Sequence, residues 1–179
     1  MDALIFLTTG FEETEALVTI DIMRRGGVDI RSVSLIGDKT VTGGHQISVI
    51  ADYLFDEVDF DAAQMLIIPG GTVKFNEHDG LKGKILEFAK KGKPIAAICA
   101  APMVFGGLGL LKGKKATCYP GYEKYLIDAE LTGAPVTVAG NITTARAAGF
   151  TPNFAFELLS QLKGSKVAIK IAREMKPEA

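Results

Sequence analysis

Short apolar runs that end on glycine alternate with longer stretches of helical spacing along almost all of the 179 residues, and this alternation restricts the fold more than any other feature. Residues 3–8 are a continuous apolar run closed by Thr9-Gly10, the pattern of a strand buried on both faces. Over residues 12–25, Ala16, Ile20 and Met23 recur at helical spacing. Acidic residues open that stretch, Arg24 and Arg25 close it, and Gly26-Gly27 stops it, so both ends carry helix signals. Residues 28–35 predict a second strand, and residues 41–49, with Gly43-Gly44 between β-formers, a hairpin or bulged excursion. Residues 63–68 predict a third strand, stopped by Pro69-Gly70-Gly71. A helix follows over 81–91 (Leu81, Ile85 and Phe88 on one face), then a fourth apolar strand over 95–98.

Beyond it, Cys99-Ala100-Ala101-Pro102 turns into an apolar helix ending near Gly109. Short strands are predicted at 116–119, 136–138 and 142–145, and helices at 154–162 and 166–175. Strands alternating with helices imply right-handed βαβ units and a mostly parallel sheet covered on both faces. The expected architecture is one α/β domain over 1–179, a three-layer α/β/α sandwich, with no linker, composition break or internal repeat to divide it.

Charge narrows the function. Twenty basic residues oppose 21 acidic ones, and the basic runs are as short as Lys90-Lys91, so electrostatics support neither nucleic-acid nor anionic-membrane binding. The opening Met1-Asp2-Ala3 lacks the basic start of a signal peptide, and no apolar run reaches the roughly 18 residues of a membrane span. The expected location is the cytoplasm. Cys99 and Cys118 are the two cysteines, and their spacing fits neither a redox pair nor a zinc site. The glycines at 106, 107 and 109 lack the rest of a phosphate-loop pattern. No metal and no cofactor is expected.

In an open α/β sheet the site lies beyond the carboxyl ends of the strands. Four such ends stand out: residues 10–15, 69–71, 99–101 and 117–120. Cys99 ends a buried strand, a helix follows at once, and Ala96, Ala97, Ala100 and Ala101 remove bulk around it, as a nucleophile elbow requires. The helix start is expected to favour the thiolate. A buried, inert cysteine is the competing reading. Gly70 and Gly71 offer backbone N–H groups to a developing oxyanion, or form an ordinary tight turn. Glu12 and Glu13 complement the helix dipole, whereas Glu15 lies on another side of the first turn. There it either points over the sheet, where desolvation raises its pKa for proton transfer, or stays a solvated cap. His45 and His78 lie at none of the four strand ends and read as surface residues, and Cys118 reads as a packing residue.

Together, residues 10–16 (Gly-Phe-Glu-Glu-Thr-Glu-Ala), 68–71 (Ile-Pro-Gly-Gly) and 96–102 (Ala-Ala-Ile-Cys-Ala-Ala-Pro) resemble the three signatures of the ThiJ/PfpI superfamily. Within it they are most similar to the branch of the parkinsonism-associated deglycase and its bacterial relatives. The similarity is colinear from about residue 2 to about 170 and includes residues 23–27.

The resemblance implies a flavodoxin-like sandwich, usually homodimeric. It makes Cys99 the reactive nucleophile and Glu15 a protonated acid hydrogen-bonded to its thiolate. The amides of Gly70, Gly71 and Ala100 become the oxyanion site, and Arg25 a residue near the dimer interface. A reading of Cys99 as an oxidation sensor also follows. Tyr119 stands where several branches have a histidine, so no Cys-His pair carries over, and Tyr119 and Arg25 remain auxiliary positions. Ala100 stands where the protease-like branch has a histidine, which disfavours a peptidase and a glutamine amidotransferase. His45 stands where the family often has an arginine. The expected function is a cysteine-dependent, cofactor-free enzyme of the glyoxalase or deglycase type, acting on methylglyoxal or glycated amines and thiols. A stress sensor or chaperone is the alternative, and a thiamine-biosynthesis role a weaker one.

Overall fold

The computed structural model describes residues 1–176 and places one seven-stranded sheet at its centre. The elements that build the site are β1 (Ala3–Leu7), α1 (Glu13–Arg25), β2 (Ile30–Ser34), β3 (Thr40–Thr42), β4 (Ser48–Ile50), β5 (Tyr53–Leu54), β6 (Met65–Ile68), α2 (Asp79–Lys90) and β7 (Ile95–Ile98). They are followed by α3 (Pro102–Gly107), β8 (Lys115–Ala116), β9 (Glu130–Leu131), β10 (Val136–Ala139), β11 (Ile142–Ala145), α4 (Thr151–Lys163) and α5 (Ser165–Met175). The sheet order is β10-β11-β7-β6-β1-β2-β5, and every pairing is parallel except β10 with β11.

β1, β6 and β7 are buried at every residue, which is why they read as unbroken apolar runs. From β1 the chain steps through α1 to β2 in one direction, whereas from β6 it steps through α2 to β7 in the other. Right-handed crossovers therefore place α1 and α2 on opposite faces, and a crevice opens between the carboxyl ends of β1 and β6. α1, α4 and α5 pack together as one layer. The buried side of α1 carries Glu13, Glu15, Ala16, Thr19, Ile22 and Met23. Ile20 sits on its flank, half-buried, and not on the buried stripe.

The excursion after β2 is a true hairpin, with β3 and β4 antiparallel. The strand expected over 116–119 is confined to Lys115–Ala116, because Thr117 N–H turns to the Thr144 side chain and Tyr119 N–H to the Cys99 carbonyl. β5 and β9, two residues each, were too short to leave a periodic signal. Among the described residues no helix is long and apolar enough to cross a membrane.

α3 follows the elbow and is held by the turn around Tyr125. A Cβ on Gly106 would run into the Tyr125 carbonyl oxygen and lie 3.0 Å from Leu126 Cα. Neither of these backbone atoms can move away as a side chain would. Gly106→Ala is expected to cost about 1–3 kcal/mol by overpacking. Urea unfolding checks this, and an unchanged midpoint would show that the turn yields.

Candidate active site

Cys99 follows β7 with φ at 65°, a left-handed conformation that a residue with a side chain adopts at a cost of about 1–3 kcal/mol. Its backbone is pinned from two sides. Cys99 N–H donates to the Ala145 carbonyl at 2.9 Å, and the Cys99 carbonyl accepts from Tyr119 N–H at 2.8 Å. The buried alanines at 96, 97, 100 and 101 leave room for this turn. The side chain emerges half-buried over the end of the sheet.

Glu15, in the first turn of α1, is 0% exposed. Its Oε2 accepts from Gly70 N–H at 2.6 Å, while Oε1 is buried with no hydrogen-bond partner among the described residues. Gly70 has no alternative at this position. A Cβ there would sit 2.7 Å from Cys99 Cβ and 2.8 Å from Glu15 Oε2. Gly71, with φ at 89°, lies against the backbone of Gly10, Phe11 and Glu12, and Glu12 N–H donates to the Gly70 carbonyl at 3.0 Å. The ends of β1 and β6 are thereby locked together around the carboxyl group.

Burial pushes the Glu15 carboxyl up to about 7, opposed by the Gly70 N–H and the Cys99 side chain and aided by the nearby Glu12 charge. Burial, then the Glu15 charge, pushes the Cys99 thiol up to about 12, opposed by the backbone N–H groups of Ala100 and Gly71. The N–H groups at the start of α3 favour the thiolate, as expected, while burial and the neighbouring Glu15 carboxylate act against it. The pair is arranged to carry one negative charge. When Glu15 holds the proton, the repulsion is gone and the Ala100 and Gly71 N–H groups favour the thiolate.

The site expected from sequence is thus brought together in part. Cys99, Glu15, Gly70, Gly71 and Ala100 converge, but the Gly70 N–H is committed to Glu15, which leaves Gly71 and Ala100 as the donors facing the sulfur. Tyr119 adjoins Cys99 through its backbone and its side chain is exposed. Arg25 lies at the far end of α1, about 15 Å along the helix from Glu15, paired with Asp21 at 2.8 Å. It is outside this site within the chain.

The other acids of α1 hold structure. Glu12 Oε2 caps the helix by accepting from Glu15 N–H at 2.6 Å. Glu13, buried, accepts from His45 N–H at 2.6 Å and meets His45 Nδ1 at 2.7 Å, which fastens the hairpin to α1. No local spacing signals that 32-residue contact. Glu12, Glu13 and His45 bring three ligand-type atoms within 4.8 Å, and there Glu12 Oε2 and Glu13 already accept backbone N–H groups. His78 Nδ1 caps α2 by accepting from Leu81 N–H at 2.9 Å. Cys118 is buried in the core, as the packing reading expects.

Glu15 titrates near 4.5 as a free group and near 7 in the fold, so the folded state binds its proton more tightly. The stabilisation this brings is complete below 4.5 and is lost as pH rises through about 7. The interval corresponds to on the order of 3 kcal/mol. The stability of the native chain minus that of Glu15→Gln is expected to fall by up to about that amount across this window and then level off. Urea unfolding at stepped pH checks it, and a difference that stayed flat would mean that Glu15 is ionised throughout.

Comparison with known proteins agrees with this geometry. Residues 1–161 match the model of the DJ-1/PfpI family. The chain is 36% identical over 175 residues to DJ-1 homolog B of Arabidopsis thaliana, which covers 94% of this chain but only 40% of that protein's length. It is 32% identical over 169 residues to a protein named deglycase from Pyrococcus abyssi, covering 91% of this chain and all of that one. The crystal structure of Drosophila melanogaster DJ-1beta superposes with a TM-score of 0.93 at 27% identity, covering 99% of this chain and 98% of the other. With the three motifs, the flavodoxin-like sheet and the elbow in place, the chain belongs to the DJ-1/PfpI family.

Proposed function

We propose that this chain is a cytoplasmic, cysteine-dependent enzyme of the glyoxalase and deglycase type that works without a cofactor. The observation that carries the reading is the fully buried Glu15 carboxyl set against the Cys99 elbow through Gly70. A group poised near 7 takes and gives protons at neutral pH. The deglycase name of relatives that this chain matches over most of their length supports the same chemistry.

With methylglyoxal, the Cys99 proton passes to Glu15 and the sulfur adds to the aldehyde carbon. The resulting oxyanion accepts from the N–H groups of Gly71 and Ala100. Glu15, once it has given its proton to that oxygen, removes the hydrogen on the former aldehyde carbon, and the charge moves to the former ketone oxygen as an enediolate. Return of the proton to the neighbouring carbon, with passage of the hydroxyl proton from the first oxygen to the second, leaves a thioester of lactate. Water then cleaves the carbon–sulfur bond, so that methylglyoxal and one water become lactate and the thiol is restored. An early glycation adduct first breaks its bond to the amine or thiol, which leaves protonated as the aldehyde is regenerated, and that aldehyde then undergoes the same addition.

The chain is further proposed to act as a homodimer. Leu17, Ile20, Val49 and Ile50 line one surface groove between α1 and the hairpin, and Ile50 and Ile47 are 80% and 51% exposed. Exposed apolar side chains beside a groove whose rim also carries Arg24, Ser32 and Asp52 fit an interface with an apolar centre and a polar rim. Arg25, exposed on the same helix, would then face the partner. Ile50→Asp is expected to shift the protein to monomers in sedimentation velocity, and a dimer that survived would move the interface elsewhere.

Turnover is tested by methylglyoxal loss and lactate formation in thiol-free buffer. Cys99→Ser is expected to fall to background, and Glu15→Gln to lose about 10²–10⁴-fold in kcat. Turnover that persists in Cys99→Ser would overturn the reading. If the native protein were inactive while mild peroxide added two oxygens at Cys99 alone, the stress-sensor reading would replace it.

A further inference from the structure

The two N–H groups that face the Cys99 sulfur, those of Gly71 and Ala100, are each one end of a peptide unit whose other end is held by a backbone donor. The Gly70–Gly71 and Cys99–Ala100 units are trans, so in each plane the carbonyl and the N–H point in opposite directions. Glu12 N–H donates to the Gly70 carbonyl at 3.0 Å, and Tyr119 N–H to the Cys99 carbonyl at 2.8 Å. A donor on the carbonyl fixes the plane, aims the N–H on the far side and polarises the unit, so that this N–H donates more strongly. The Gly71 plane is held from the start of α1. The Ala100 plane is held from residues 117–119, a stretch that belongs to no strand or helix.

What fastens that stretch to the sheet is a side chain. Thr144, on β11 and 1% exposed, accepts from Thr117 N–H through Oγ1 at 3.0 Å. Among the described residues this is the one hydrogen bond between a side chain and residues 117–119. The next residue of β11, Ala145, accepts the Cys99 N–H on its carbonyl at 2.9 Å. Thr144 and Ala145 therefore fix both ends of Cys99, the N–H directly and the carbonyl through Thr117 and Tyr119. Without the Thr144 hydroxyl, Thr117 N–H would be a buried donor with no acceptor, and the stretch would have to turn to find one. Tyr119 N–H, two residues on, would turn with it.

We propose that Thr144 is a positioning residue of the site: through Thr117 and Tyr119 it sets the direction of the Ala100 N–H, and with it the hold of that donor on the sulfur and on the oxyanion. The effect on the oxyanion rests on the enzymatic reading above, whereas the effect on the sulfur concerns the thiol alone. Thr143 supplies the contrast. It is as deeply buried as Thr144, but successive side chains of a strand point to opposite faces, and its hydroxyl meets Gln161 Nε2 on α4 at 2.9 Å.

Three variants separate positioning from stability. Thr144→Val keeps the shape and removes the acceptor, Thr144→Ser keeps the acceptor, and Thr143→Val removes the matching hydroxyl from the other face. Melting temperature is measured for each. Alkylation of Cys99 by iodoacetamide is followed against pH by mass spectrometry, a readout that needs no turnover, and kcat and KM are measured with methylglyoxal. In Thr144→Val the alkylation profile is expected to move to higher pH by at least about half a unit, and kcat to fall at least about tenfold with KM unchanged. Thr144→Ser is expected to restore both, and Thr143→Val to lower the melting temperature while leaving both native. A native alkylation profile in Thr144→Val, the same shift in Thr143→Val, or no recovery in Thr144→Ser would each overturn the proposal. Should Thr144→Val fail to fold, Thr144→Ala takes its place with the same expected shift. A shifted profile in a protein that turns over no methylglyoxal would uphold the role of Thr144 toward the thiol and count against the enzymatic reading alone.

Discussion

A single hydrogen bond, from Gly70 N–H to the Glu15 carboxyl, holds the rest of the site in register. It joins the end of β6 to the first turn of α1, across the point where the sheet reverses its order, and it does so beneath the Cys99 side chain. A carboxyl with no exposed surface is costly when ionised, and one backbone donor offsets only part of that cost. The remainder appears as a proton affinity close to neutrality, which sets the charge that the neighbouring sulfur experiences. Gly70 serves twice here, donating its N–H and withholding a Cβ that would occupy the gap between acid and thiol.

Some departures from ordinary local rules lie around this point, while the positive φ values of Gln46 and Asp128 lie elsewhere. Cys99 is one of three non-glycine residues with positive φ, and the two buried side-chain atoms without partners among the described residues are Glu15 Oε1 and Thr117 Oγ1. One lies under the elbow and the other beside the strand end that supports it.

Much of this was legible in the residues because the signals are local. β7 and β11 were read to their exact ends, since β7 is a short apolar run after Pro94 and β11 a short run of strand-forming residues before Arg146, and α1 announced both of its termini. The elbow was legible for the same reason, as one cysteine between pairs of alanines after a strand. What escaped notice depends on contacts distant in sequence. Nothing near Glu13 shows that it holds His45, and nothing near Gly70 shows that its N–H is taken by a residue 55 positions earlier. The electrostatics of Cys99 divide along the same line: the helix start is a local feature, whereas the desolvation and the opposing carboxylate arise only in the assembled fold.

The acids that open α1 point in different directions along one rigid turn. Glu15 reaches inward to Gly70, and Glu13 reaches outward to the hairpin that carries Ile47 and Ile50. A close-packed helix turn does not absorb small displacements; it passes them on. The hairpin and the buried carboxyl are therefore fastened to the same turn of one helix, so the position of each is referred to the other through a single rigid element.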